Sequence, residues 1–341
     1  MKPKSAARVY RGTPRNLEQL ARRLQAGELV AVPTETVYGL AANALDPRAC
    51  RRIYAAKGRP STDPLIVHIN ARSQLAQLAE TNAAAERLAD AFWPGPLTLV
   101  LPKKPVVPDV VTSGRPSVAV RMPSHPLLRR LLRKAGLPLA APSANPFGYV
   151  SPTTAEHVRQ NMGGRIRYIL DGGPARIGLE STIVDLRYPE RPRLLRPGAV
   201  TLADLRRVLG VAVEAPSHRP GRTRSPQVAP GQLARHYSPR TPVFLHPKIP
   251  PRAAARSAPD QAWLFQRRPA GRVSPGMFWL DGRGSLQRAA RNLFAVLRRI
   301  DDLGFRKIHA ELARGGGMAE AINDRLRRSA AKGRGPMRNR S

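Results

Sequence analysis

Short apolar runs alternate with helix-spaced apolar stripes along this chain, and that alternation, more than any bulk property, restricts it to an α/β architecture. Leu17, Leu20 and Leu24 share one helical face, and Gly27 stands where a C-cap is expected. Residues 28–32 read as a short buried strand, and Asp46 and Pro47 as the cap and first position of a helix running toward Ala56. Further strands are expected at 64–69, 97–101 and 117–121, and near Leu139, Ile169 and Ile183. Ser124 is placed to cap a helix carrying Leu127, Leu128, Leu131 and Leu132, and a last helix covers 202–209. The pattern then breaks. Residues 214–231 hold Pro216, Pro220, Pro226 and Pro230, several arginines and almost no apolar side chains, the composition of a linker. It resumes with strands at 243–245, 262–265, 277–280 and 307–312, and helices at 286–300 and 318–330.

A length of 341 residues fits two domains at about 150 residues each, and 42% hydrophobic residues suffice for buried cores. The formal net charge of +35, from 58 Lys+Arg against 23 Asp+Glu, favours polyanions and anionic substrates. An Arg-, Pro- and Ala-rich chain is also what a GC-rich genome encodes, so bulk charge alone does not choose between these readings. Cys50 is the one cysteine, which excludes an intramolecular disulfide and a cysteine metal site. Residues 1–12 are basic without a following apolar stretch, and no apolar run nears the ~20 residues of a membrane span, so a cytoplasmic protein is expected.

Four segments depart from plain core patterning. PTETVYGL at 33–40 places three hydrogen-bonding side chains after a strand, where open α/β sheets bind ligands; alone it is more often an ordinary capped turn. KGRPS at 57–61 sets two cations around a glycine past a helix, a grip for polyphosphate or simply a solvated helix end. AAPSANP at 140–146 is a proline-stiffened corner presenting a hydroxyl and an amide. GLESTIVD at 178–185 opens an apolar strand with Ser181 and Thr182. His68 closes one apolar strand, and Arg121 ends another, where a buried cation requires an anion. There is no GxxxxGK[ST] loop, no Gly-x-Ser-x-Gly elbow and no His-x-x-x-His spacing. Chemistry by positioning and charge neutralisation is expected, without a covalent nucleophile.

Together with PLIVHI, WPGPLT, SVAVRMP, SPT and LLRPG, these segments occur in one order that closely resembles the YrdC-like family of L-threonylcarbamoyladenylate synthases, over about residues 9–210. The PGQLARHYSP stretch at 230–239 and the C-terminal unit resemble its longer, two-domain branch. The resemblance implies a YrdC-like catalytic domain over 9–213 on an open, twisted, mixed sheet with helices. It further implies a linker or active-site lid over 214–240, a smaller Rossmann-like α/β domain over 241–333 and a basic tail over 334–341.

The implied reaction joins L-threonine, bicarbonate and ATP with release of pyrophosphate. Its product, threonylcarbamoyl-AMP, would be passed to partner proteins that modify an adenosine beside the tRNA anticodon. Carried onto this sequence, Thr34, His68, Arg121, the Ala141 backbone and Ser181 would hold threonine. Lys57, Arg59, Ser143 and Asn145 would hold the ATP phosphates, with Ser61, Ser117, Ser151, Arg196 and Tyr237 completing the nucleotide site. In the linker, Arg219, Arg222, Arg224 and Arg235 can face an anionic nucleotide. Magnesium is expected with the triphosphate, and no motif fixes its ligands. Rival readings are a non-enzymatic basic RNA-binding module and a carbamoyl-phosphate-using carbamoyltransferase. The first calls for more than the 5% aromatic residues present, and the second for zinc-finger cysteines that the chain lacks.

Overall fold

A computed structural model describes residues 7–215, 227–230, 236–256, 258–271 and 273–331. The first domain runs β1 (Arg8–Arg11), α1 (Pro14–Gln25), β2 (Val30–Val32), β3 (Gly39–Asn43), α2 (Pro47–Lys57), β4 (Ile66–His68), α3 (Ser73–Leu78) and α4 (Ala83–Phe92). It continues through β5 (Leu97–Pro102), α5 (Asp109–Thr112), β6 (Ser117–Arg121), α6 (Pro126–Ala135), β7 (Leu139–Ala140), α7 (Ala155–Met162), β8 (Tyr168–Asp171), β9 (Thr182–Asp185), β10 (Arg193–Arg196) and α8 (Leu202–Leu209). The second comprises β11 (Val243–His246), α9 (Pro251–Ala255), β12 (Gln261–Arg267), β13 (Met277–Asp281), α10 (Leu286–Asp302), β14 (Lys307–Glu311) and α11 (Met318–Ala330).

The first domain is a mixed sheet in the order β1-β8-β2-β3-β7-β4-β6-β5-β9-β10. Its inner strands, such as β2, β4 and β6, are buried on both faces because both faces are covered. Val30 and Val32 point into a cluster with Leu17, Leu20 and Leu24 of α1 and Leu128, Leu131 and Leu132 of α6. Ala31, between them, points to the opposite cluster with Ile53 of α2, Leu88 of α4 and Leu205 of α8. The helix expected to start from a Ser124 cap starts at Pro126 instead, with His125 in the N-cap position and no side-chain cap. Proline at N1 removes one orphan donor and pre-sets φ, so the start does not depend on a serine. Strand β2 begins at Val30, later than the expected residue 28, and β3 starts on the last two residues of the 33–40 motif.

The second domain is an all-parallel sheet in the order β11-β14-β12-β13. Leu293, Phe294, Leu297 and Ile300 of α10 pack on it with Ile322 and Leu326 of α11. The same apolar cluster takes in Val37, Val150 and Leu179 of the first domain, and Tyr237. Contact is close at Gly178, where φ is +80° and a Cβ would lie 2.4 Å from the Arg291 backbone oxygen. Any side chain there would strain the turn and push α10 away. The two domains therefore meet on the loops that carry the polar motifs. The tail over 334–341 lies outside the described residues.

Candidate active site

The loop after β2 turns back through Thr34, whose hydroxyl sits 2.7 Å from that of Thr36 and donates to Val37 O at 2.6 Å. His68 and Arg121 end the parallel strands β4 and β6 as register partners, so their side chains emerge side by side. Ala141, Pro142 and Ser143 follow β7, and Gly39 bridges to Ser143, drawing that corner against the β3 loop. Glu180 and Ser181 precede β9, and Arg196 ends β10. All of these line one cavity, together with Arg59, Ile66, Pro230, His236 and Tyr237.

Of the residues expected to hold threonine, Thr34, His68, Arg121, Ala141 and Ser181 all line it. Of those expected on the nucleotide, Arg59, Ser143, Arg196 and Tyr237 line it, whereas Lys57, Ser61, Ser117, Asn145 and Ser151 do not. Lys57 lies beneath the 143–145 corner, fully buried, donating to Ser143 O at 2.5 Å and Asn145 O at 2.6 Å. Burial, then the neighbouring Arg59, pushes its ammonium pKa well below the usual value. Asn145 turns its amide to Pro146 O and Tyr149 O, both at 2.9 Å. Ser151 donates to Glu180 behind the cavity wall. Ser61 is exposed on a turn, and Ser117 is buried at the start of β6, four residues and roughly 13 Å of extended chain from Arg121. The linker arginines Arg219, Arg222, Arg224 and Arg235 lie outside the described residues.

Among the described residues three guanidiniums line the cavity, and two of them have intramolecular anions. Arg59 pairs with Asp63 at 3.0 Å. Arg121, whose burial called for an anion, has Glu35 at 2.6 Å, with Thr36 Oγ1 at 2.9 Å and Gly95 O at 3.1 Å as further acceptors. Burial raises the Glu35 pKa, but Arg121 outweighs it and leaves the carboxyl below its usual range. Arg196 differs. It is 4% exposed, donates to Ser181 O at 2.9 Å and Ser181 Oγ at 3.0 Å, and forms no ion pair among the described residues. Burial lowers its pKa, and Arg325 adds to this, while Tyr237 and Glu180 act the other way without outweighing it. The Tyr237 hydroxyl, which acts on Arg196, is buried and makes no well-formed hydrogen bond among the described residues. His68 is buried with Nδ1 unpartnered, and burial followed by Arg121 pushes its pKa down to about 3, so the ring is neutral at pH 7. Two buried carboxylates, Glu35 and Glu180, escaped the sequence reading, although both lie inside the motifs it singled out.

This cavity has relatives. A family profile described as "Telomere recombination", of the Sua5/YciO/YrdC type, matches residues 22–198, and one described as "Threonylcarbamoyl-AMP synthase, C-terminal domain" matches residues 200–331. A threonylcarbamoyl-AMP synthase of Pyrococcus abyssi is 43% identical over 314 residues, covering 90% of this chain and 91% of that one. One of Bacillus subtilis is 41% identical over 325 residues, 92% of each. The crystal structure of P. abyssi Sua5 complexed with L-threonine superposes with a TM-score of 0.84 at 40% identity, covering 94% of this chain and 96% of that one. With both profiles matched in chain order, and the polar loops of the first domain docked against the second, the chain belongs to the Sua5/YciO/YrdC family, in its two-domain threonylcarbamoyl-AMP synthase form.

Proposed function

We infer that this protein makes L-threonylcarbamoyl-AMP from L-threonine, bicarbonate and ATP, releasing pyrophosphate. The observation that carries the nucleotide half of this reading is Arg196, a buried guanidinium without an ion pair among the described residues, lining the cavity together with the Tyr237 side chain. Such a cation is costly until an anion arrives, and a phosphate supplies one.

In the reaction, the threonine amine attacks bicarbonate with loss of water to give a carbamate. A carbamate oxygen then forms a bond to the α-phosphorus as the bond to the β-phosphate oxygen breaks. Arg121 would orient the threonine carboxylate with donors not taken by Glu35, and neutral His68, Thr34 and Ser181 would receive the rest of the amino acid. Arg59, Arg196, Ser143 and Tyr237 would hold the phosphates and spread the charge that develops as pyrophosphate leaves. Lys57 and Asn145 would act from below, by shaping the Ser143 corner. Pro230, His236 and Tyr237 roof the cavity, and exclusion of water there would protect a carbamate and a mixed anhydride that both hydrolyse.

For magnesium the donor set does not fit a protein-built cage. Among the described residues no group of three or more His, Cys, Asp or Glu is placed to bind a metal, and the cavity carboxylate Glu180 is taken by Ser151 and Arg325. Magnesium would come with the triphosphate. The product would supply a tRNA-modifying protein in the cytoplasm; no helix among the described residues is long and apolar enough to cross a membrane. Incubation with ATP, bicarbonate and labelled threonine should give labelled threonylcarbamoyl-AMP with stoichiometric pyrophosphate. Pyrophosphate release independent of threonine, with no labelled nucleotide, would overturn the assignment.

Two further results are expected. Arg121→Leu alone would strand Glu35 as a buried, uncompensated charge and cost about 3–5 kcal/mol of stability, so the change is best made with Glu35→Gln. That pair should raise the KM for threonine about tenfold or more, a charged contact being worth about 1.5–3 kcal/mol, and alter the KM for ATP far less. Steady-state kinetics in each substrate decide; a larger loss for ATP rejects the role. The second concerns pH. The folded pKa of His68 lies below its unfolded value, so the unfolded chain takes the proton first as pH falls. Its contribution to stability is complete above about pH 6.5 and is lost as pH falls toward about 3. Melting temperature should decline from pH 6.5 to 4.5 more steeply in the wild type than in His68→Gln; parallel curves would reject this.

A further inference from the structure

Arg325 lies on α11 of the second domain, yet its guanidinium is fully buried against the catalytic cavity. Nε donates to Glu180 Oε2 at 2.9 Å and Nη2 to Glu180 O at 3.4 Å. Nη1 donates to Pro197 O at 2.9 Å and Asp324 Oδ2 at 2.8 Å. Its Cζ stands 5.3 Å from the centre of the Tyr237 ring, which stacks on Phe294 of α10 at 5.5 Å. Glu180 and Tyr237 both line the cavity.

We propose that Arg325 is a positioning residue through which the second domain keeps the nucleotide half of the cavity competent: it holds the Glu180 carboxylate off Arg196, leaving Arg196 to the phosphates. The proposal rests on the reading of Arg196 and Tyr237 as phosphate-facing groups. Glu180 is 6% exposed and charged partners are its cheapest company. It is near enough to act on Arg196 through space, but Ser151 Oγ takes one of its oxygens and Arg325 the other. Without Arg325 the carboxylate would be free to turn to Arg196, on which it already acts. The same side chain braces Tyr237, whose φ of +61° is a left-handed conformation that a non-glycine residue keeps only when its surroundings enforce it. Arg325 and Phe294, both from the second domain, pack on the ring together with His236. The fork also spans Glu180 and Pro197 O, one before β9 and the other after β10, a rigid planar grip that a lysine ammonium lacks.

The test is steady-state kinetics on the full-length protein, with circular dichroism confirming the fold of each variant. Arg325→Gln should raise the KM for ATP about tenfold or more and leave the KM for threonine nearly unchanged. Adding Glu180→Gln removes the competing charge and should recover most of that loss, a rescue that a merely structural contact would not give in a folded protein. Arg325→Lys, which keeps the charge in the core, should fall between wild type and Arg325→Gln, and carries the test if the glutamine variant fails to fold. An unchanged KM for ATP, or equal losses for both substrates without rescue in the double variant, overturns the proposal. Arg196→Met separates the two failures. If it leaves ATP binding intact, the reading of the nucleotide half is wrong; if it weakens ATP binding while Arg325→Gln does not, only the positioning role falls.

Discussion

Arg196→Met is expected to weaken ATP binding on the order of a hundredfold while stability stays within about 1 kcal/mol of wild type. The two effects have different origins. The folded protein already bears the desolvation of this guanidinium, which Glu180 offsets only in part and without an ion pair, so removing the charge relieves one cost. The bonds to Ser181 O and Ser181 Oγ are lost at the same time, and the acceptors left behind return a cost of similar size. The bound state has no such compensation, because the phosphate loses its buried cation. Calorimetric titration with a non-hydrolysable ATP analogue and differential scanning calorimetry on the same samples measure both quantities. A large drop in melting temperature with unchanged affinity would make Arg196 a structural residue and remove the main support for the phosphate site.

Lys57→Met is expected to lower kcat about a hundredfold, the magnitude typical of losing a well-placed charge-stabilising group, although Lys57 does not line the cavity. Its ammonium ties Ser143 O to Asn145 O, so its loss should let the Ser143 hydroxyl drift from the reacting phosphates. Two buried carbonyls would also lose their donor, at about 1–3 kcal/mol each, so stability should fall as well. A double-mutant cycle distinguishes action through the corner from direct contact. If Lys57 works through Ser143, Lys57→Met combined with Ser143→Ala should be little worse than the more damaging single change. Additive losses would mean that the lysine reaches the substrate itself.

Much of this architecture was readable without coordinates. The 3.6-residue spacing of Leu17, Leu20 and Leu24 placed α1, and Val118, Ala119 and Val120 placed β6, because a side chain's periodicity follows directly from backbone geometry. Motif order was equally readable: small, polar and proline-rich loops stand out against apolar strands, and strand ends are where an open sheet binds ligands. Depth and partnership were not. Lys57 and Arg59 are two residues apart and read as one cationic pair, but the end of α2 sends one beneath the Ser143 corner and the other into the cavity. Arg121 announced a need for an anion, yet the need was met by Glu35, 86 residues earlier, through a loop whose path is set by β2 and β3 pairing. Arg325 gave no sign at all, sitting 145 residues from Glu180 on a helix that reads as an ordinary amphipathic surface. Periodicity and turn chemistry are local and survive in any window of sequence, whereas the pairing of buried charges depends on which elements the sheet order and the domain contact bring together, and only the assembled fold specifies that.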